Sequence, residues 1–97
     1  MKWKLSLQAK ADLRRIGHRI ARDNPEAAVA WVQKLQARAR LAGQAPWQGR
    51  KVPEIDRDDV REAIVGNYRI VYIVHARVVM ILTIFEGHRL LPELNLP

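Results

Sequence analysis

The stretch VREAIVGNYRIVYIVHARVVMILTIFEGHR occupies residues 60–89 and is rich in β-branched residues, which favour strands. Two short breaks divide it. The first, Gly66-Asn67, is a favoured two-residue hairpin loop, and the second lies near Ala76-Arg77. The pattern predicts an antiparallel three-stranded meander with strands at about Val60–Val65, Tyr68–His75 and Val78–Phe85.

A two-residue loop fixes the register of the first hairpin, so that Val65 pairs with Tyr68 and Ile64 with Arg69. One face is then predicted to carry Arg61, Ala63, Val65, Tyr68, Ile70, Tyr72, Val74, Val79, Ile81 and Phe85. The other is predicted to carry Glu62, Ile64, Arg69, Val71, Ile73, Met80, Leu82 and Ile84. Both faces are apolar, so both are expected to be covered. Glu62 and Arg69 occupy diagonal positions within reach of each other and are expected to form an ion pair.

The elements before the meander predict a helical hairpin. A short strand at Trp3–Leu7 leads into a helix that begins at Ser6 or Leu7 and ends near Arg22. A second helix should run from Pro25, capped by Asn24, to about Ala42, with Gly43 ending it. The predicted fold class is therefore α+β: an N-terminal strand, an antiparallel helical hairpin and a small sheet built on the meander.

Two remaining segments have less regular patterns. Residues 44–59 contain Pro46, Gly49 and Pro53 and are expected to be irregular, with Trp47 covering an edge of the core. The tail, residues 90–97, reads LLPELNLP and is expected to dock either on its own domain or on a second subunit.

Composition limits the class of protein. The chain has 97 residues, of which 48% are hydrophobic, so it is expected to form one globular domain spanning residues 1–97. It has no cysteine, which excludes disulfides and thiol catalysis. It lacks both a membrane-spanning apolar window and the pattern of a secretory signal, so a cytoplasmic location is expected, without a membrane partner.

Charge and side-chain chemistry favour a partner over a cofactor. The net charge of +7, from 17 Lys and Arg against 10 Asp and Glu, favours nucleic acid or an acidic protein as partner. His18, His75 and His88 lack the spacing of metal ligands, and no glycine-rich phosphate loop is present. Neither a metal nor a cofactor is expected. Ser6 and Thr83 have no neighbouring base in a recognisable motif, which disfavours covalent catalysis.

The ordered set of motifs resembles the RelE/ParE superfamily of toxins from type II toxin–antitoxin systems. The resemblance covers nearly the whole chain. Its motifs are DNPEAA at residues 23–28, PWQGR at residues 46–50, GNYRIVY at residues 66–72 and ILTIFEGHR at residues 81–89. The family fold, a helical hairpin packed on a small and mainly antiparallel sheet, agrees with the elements predicted from the residues.

The resemblance implies one of two activities. RelE-like members are ribosome-dependent mRNA endoribonucleases that use lysines near the first meander strand, two arginines and a C-terminal tyrosine. If this chain is such a ribonuclease, Arg69 and Arg89 match the two arginines, and Arg61 and His88 are further candidate catalytic residues. The lysines and the tyrosine have no counterpart in residues 60–65 and 90–97.

The helix junction and the hairpin motif look more like the ParE branch, whose members poison DNA gyrase without a well-defined catalytic set. The resemblance therefore implies a toxin that inhibits gyrase by binding it rather than by catalysis. Two alternatives stay open: a ribonuclease acting on mRNA at the ribosome, and a degenerate protein that retains only antitoxin binding.

Either branch implies a cognate antitoxin whose acidic, amphipathic C-terminal segment wraps the toxin in a hetero-oligomer. The positive charge of the chain suits such a segment. The expected contact surfaces are the second face of the sheet and the exposed side of the helical hairpin. The antitoxin-binding candidates are Arg69, Val71, Ile73, Met80 and Leu82.

Overall fold

The computed structural model describes the whole chain, Met1–Pro97. Its elements in chain order are β1 (Lys2–Leu5), α1 (Leu7–Ala21), α2 (Pro25–Gln44), a 3₁₀ turn (Pro46–Gln48), β2 (Arg50–Lys51), β3 (Val60–Val65), β4 (Tyr68–His75) and β5 (Val78–Glu86). One sheet contains all five strands in the order β1-β5-β4-β3-β2, and the helical hairpin packs on one of its faces. The predicted α+β class is confirmed. Neither helix is long and apolar enough to span a membrane.

Side-chain caps begin both helices at the predicted positions. The hydroxyl of Ser6 accepts a hydrogen bond from the backbone N–H of Ala9 at 3.0 Å, and Asn24 does the same for Ala27 at 3.0 Å. β1 ends at Leu5, two residues earlier than predicted, because Ser6 becomes the cap of α1.

Gly43 does not end α2, which continues to Gln44, and that prediction was wrong. Gly43 instead lies against Trp3 of β1: a Cβ atom added to Gly43 would be 2.6 Å from the Cβ of Trp3. The glycine is needed because α2 and β1 approach too closely for a side chain, not because the helix stops there.

The meander has the predicted strands and the predicted first register, with Val65 opposite Tyr68. Gly66 has a φ of +56°, as its hairpin loop requires. At the second turn, Ala76 and Arg77 have φ values of +51° and +62°. Two consecutive left-handed residues match a type I′ turn, which closes a hairpin with the right twist but is strained for residues other than glycine or asparagine.

A β-bulge in β5 changes which side chains share a face. Leu82 is an extra residue of β5, located where the register shifts between Val71 and Tyr72 of β4. Beyond it, Ile84 faces the helices and Phe85 faces away from them. The sequence prediction had these two residues on the opposite faces and was wrong, because one inserted residue reverses the alternation of a strand.

The two sheet edges also differ from the simple meander. At one edge, β1 pairs in parallel with β5, with Trp3 opposite Val79. The sequence did not reveal this partner of the N-terminal strand. β2 is a short strand inside the segment predicted to be irregular, and its Arg50 lies opposite Glu62 of β3.

Each face of the sheet is covered by a hydrophobic core. The larger core lies under the helices and contains Ala9, Leu13, Ile16, Leu35, Ala39, Ala42, Ala63, Val65, Tyr68, Ile70, Tyr72, Val79, Ile81 and Ile84. The smaller core, on the opposite face, contains Val52, Val60, Val71, Ile73 and Phe85, against which Leu91, Leu94 and Leu96 of the tail pack. Of the two expected sites for the tail, its own domain is the one it occupies.

Candidate functional site

Arg69 lies at the centre of a charged cluster on the second face of the sheet. Its Nε donates to Oε1 of Glu62 at 2.6 Å, and its two terminal nitrogens donate to the two carboxylate oxygens of Glu54, each at 2.8 Å. The other oxygen of Glu62 accepts from Nε of Arg50 at 2.6 Å. The predicted pair of Glu62 and Arg69 is thus present within a chain of four alternating charges.

The ionisation of this cluster follows from its contacts. Hydrogen bonds from Arg69 hold the pKa of the Glu54 carboxyl down, at about 2. The same bonds with Glu54, together with those of Glu62, raise the pKa of the Arg69 guanidinium. Arg69 therefore stays protonated at any working pH, and its guanidinium nitrogens are hydrogen-bonded to the carboxylates of Glu54 and Glu62.

The four candidate ribonuclease residues do not converge on one place. Arg69 and His88 line the same shallow hollow beside the Gly66-Asn67 loop. Arg61 lies elsewhere, bonded to the carbonyl oxygens of Asp58 and Gly49, and Arg89 lines a different hollow. The structure brings together two of the four.

His88 and Trp47 are both exposed. The imidazole Nδ1 of His88 lies 3.4 Å from Oε2 of Glu86, in an open loop after β5. Trp47 is 54% exposed. The Cζ atom of the Arg61 guanidinium lies over the Trp47 ring, 5.3 Å from the ring centroid. The prediction that Trp47 covers an edge of the core was wrong, because its neighbour Pro46 is the residue of that turn that is buried.

An open groove runs along the second face between the tail and the start of α1. Its volume is about 660 Å³, and Ile73, Met80 and Leu82 line it together with Leu94 from the tail. Of the other predicted antitoxin-binding residues, Val71 is fully buried beneath the tail, and Arg69 is buried in the charged cluster. Three of the five candidates therefore reach the groove.

Several residues at these sites escaped prediction. Glu54 lies in the segment predicted to be irregular, and nothing in its spacing points to Arg69. Lys4, Leu7 and Gln8 form the far wall of the groove, because β1 lies beside β5. The tail residue Leu94 was detectable only as part of a leucine-rich segment. No group of three or more His, Asp or Glu side chains is placed to hold a metal ion.

The chain is similar to known proteins in both sequence and fold. The family described as "ParE toxin of type II toxin-antitoxin system, parDE" matches residues 3–91. A chain from the solved structure "Chromosomal ParDE TA system from P. aeruginosa" is similar, with a TM-score of 0.74 and 26% identity, over 89% of this chain and 95% of that chain. No curated protein sequence matches. Because the family match spans most of the chain and the folds agree, this protein belongs to the ParE toxin family of type II toxin–antitoxin systems.

Proposed function

We propose that this ParE toxin inhibits DNA gyrase by binding it, and that a cognate antitoxin neutralises it by occupying the groove beside the tail. The observation that carries the first part is the state of Arg69. The arginine that the RelE-like motif nominates for catalysis is held by Glu54 and Glu62 and is 9% exposed. Because gyrase is a cytoplasmic enzyme, the proposal places the toxin in the cytoplasm.

The scatter of the other candidates supports binding over RNA cleavage. General acid–base cleavage needs its acid, its base and a charge-stabilising group within about 3 Å of one reacting centre. Arg61 and Arg89 lie outside the hollow that Arg69 and His88 share. The lysines and the tyrosine of the RelE-like set also have no counterpart in this sequence.

The groove has the chemistry to receive an amphipathic segment. Met80 and Leu82 are partly exposed on its floor, and Leu7 is an exposed apolar side chain on its far wall. Lys4 and His75 supply positive or protonatable groups at its margins. An antitoxin segment with apolar residues on one side and acidic residues on the other would bury its apolar side here, and the charge of +7 would speed its approach.

Expression of the toxin alone in growing bacteria tests the cellular target. Gyrase inhibition predicts induction of a DNA-damage reporter and loss of thymidine incorporation while amino-acid incorporation initially continues. Co-expression of the cognate antitoxin should restore growth. Rapid arrest of translation with cleaved messages and intact DNA would support the ribonuclease instead, and unimpaired growth with confirmed expression would support a protein that retains only antitoxin binding.

A further inference from the structure

The end of α1 and the end of β5 enclose a second charged surface, away from the groove. Arg15, Arg19, Arg22 and Arg89 line a hollow here, which we call the arginine hollow. Three of these arginines are helical: Arg15 and Arg19 belong to α1, and Arg22 is its C-cap residue with helical dihedral angles. They follow one another at spacings of four and three, so they lie on one face of the helix. Their Cα atoms extend over roughly 10 Å along the helix axis.

The carboxylates at this surface neutralise only part of its charge. Arg15 pairs with Asp12, and Arg19 pairs with Glu86. Arg22 and Arg89 are exposed, and neither has a carboxylate within ion-pairing distance. Cations near a helix C-terminus stabilise the helix, which explains the presence of arginine at positions 19 and 22. The same effect does not explain the arginine at position 89, which lies after β5.

The arginine hollow offers no apolar anchor. Its apolar members Ile16, Ile84 and Phe85 are all buried, the most exposed of them at 7%. An amphipathic peptide gains most of its affinity by burying apolar side chains in exposed pockets, so this surface fits such a peptide poorly. A ligand that presents only a row of anionic groups fits it better.

We infer that the arginine hollow binds the phosphate backbone of duplex DNA without reading base sequence. Guanidinium groups match phosphate oxygens in a bidentate fork, which favours arginine over lysine at such sites. Each strand of a duplex carries a phosphate about every 3.4 Å along its axis, so the helical arginines cover about three steps of one strand. Single-stranded RNA shares this chemistry, but duplex DNA carries the denser charge and releases more counterions per contact.

The inference adds a direct DNA contact to the proposed binding of gyrase, and it is measured without gyrase. The experiment is fluorescence anisotropy of the full-length toxin with a labelled mixed-sequence duplex of ~20 base pairs. The toxin should bind with a dissociation constant in the range of roughly 10⁻⁴–10⁻⁶ M near physiological salt, and log K should fall linearly with log salt.

Replacement of both free arginines, Arg22→Ala with Arg89→Ala, should weaken binding about tenfold or more at 0.1 M salt and reduce the salt slope by about 1 per arginine. Arg22→Lys with Arg89→Lys should retain most of the slope. The matched control, Lys2→Ala with Arg40→Ala, removes the same charge from exposed positions outside the hollow and should change the slope little.

Three results would overturn the inference. The first is a wild-type toxin, folded by circular dichroism, that does not bind the duplex at low salt. The second is equal loss of affinity in the control pair, which would assign binding to net charge alone. The third is tighter binding to a single-stranded RNA of the same length than to the duplex. Gyrase inhibition by the Arg22 and Arg89 variant is a separate measurement. If that inhibition is unchanged, the proposed target stands, and the anisotropy result for this variant concerns only the DNA contact.

Discussion

Arg69 of β4 and Glu62 of β3 form a buried ion pair, with 2.6 Å between Nε and Oε1. The pair joins two strands on the face of the sheet that the tail covers. Glu62 is fully buried, and its second oxygen is bonded to Arg50. An arginine in this position is a structural element, because its removal would leave a carboxylate in the core with one partner fewer.

The ion pair predicts a non-additive pair of mutations. Arg69→Met should destabilise the fold by about 3 kcal/mol, because it leaves the buried carboxylate of Glu62 partly unpaired. Arg69→Met combined with Glu62→Leu should regain most of that loss, since an apolar pair needs no charge compensation. Urea denaturation of the two single variants and the double variant measures the coupling. Simple additivity of the two changes would refute the structural role assigned to Arg69.

Glu54 predicts a dependence of stability on pH. Its pKa is about 2 in the folded chain, below the ordinary value of 4.5. Because the folded-state pKa is lowered, the carboxylate stabilises the fold above pH 4.5, and this stabilisation is lost as pH falls towards 2. The side chain is 42% exposed, so solvent screening limits the effect to about 1 kcal/mol.

The Glu54→Gln variant isolates this contribution. It should be less stable than the wild type at pH 7, and the difference in unfolding free energy should shrink between pH 5 and pH 2. Glu93→Gln, at an exposed position of the tail, serves as the control. A difference between wild type and Glu54→Gln that is constant across this range would contradict the assigned ion pair.

The buried side chain of Asp12 predicts a large loss of stability when it is removed. Its Oδ2 accepts hydrogen bonds from the hydroxyl of Thr83 at 2.6 Å and from the backbone N–H of Ile84 at 2.9 Å. Beyond Ile81, β5 has no neighbouring strand on the β1 side, and the Asp12 carboxylate accepts from Ile84 the hydrogen bond that such a strand would otherwise accept. Asp12→Ala should cost about 3 kcal/mol of unfolding free energy, because it leaves two buried donors unpaired.

Thermal and chemical denaturation of Asp12→Ala measure that loss. Thr83→Val is the comparison, since it removes one hydrogen bond and leaves the backbone donor of Ile84 satisfied. The Thr83 variant should be destabilised by clearly less than Asp12→Ala. Equal stability of Asp12→Ala and the wild type would show that the edge of β5 does not need this cap.

The groove predicts where antitoxin affinity resides. Met80→Asp places a charge on its partly exposed floor and should weaken binding of the cognate antitoxin about tenfold or more. Leu41→Asp makes the same kind of change at an exposed position of α2 outside the groove and should leave affinity close to wild type. Isothermal titration calorimetry measures both. Wild-type affinity in a folded Met80→Asp variant would exclude the groove as the antitoxin site.

The sequence predicted those parts of the fold that depend on local patterns. The Gly66-Asn67 loop specified the register of β3 and β4, and with it the pairing of Glu62 with Arg69. The sequence pattern could not reveal the bulge at Leu82, because the residues around Leu82 are all suitable for a regular strand. Ile84 and Phe85 were therefore assigned to the wrong faces.

Contacts between distant segments were the least predictable. Glu54 reaches Arg69 only because the segment after β2 folds back over the second face, which no spacing in the chain encodes. Arg89 joins the helical arginines only because β5 ends beside α1. The spacing of Arg15, Arg19 and Arg22 places them on one side of a helix, whereas the hollow that they form with Arg89 requires the tertiary structure.

The most direct test of the proposed function is a supercoiling assay with purified gyrase, relaxed plasmid and ATP, over a range of toxin concentrations. Inhibition by binding predicts a dose-dependent loss of supercoiling, reversed by the cognate antitoxin. The inhibition should be retained by the variant that combines Arg61→Ala with His88→Ala, which removes two candidate ribonuclease side chains. A folded toxin that leaves supercoiling unchanged in excess over gyrase, while it cleaves mRNA on ribosomes, would refute gyrase as the target.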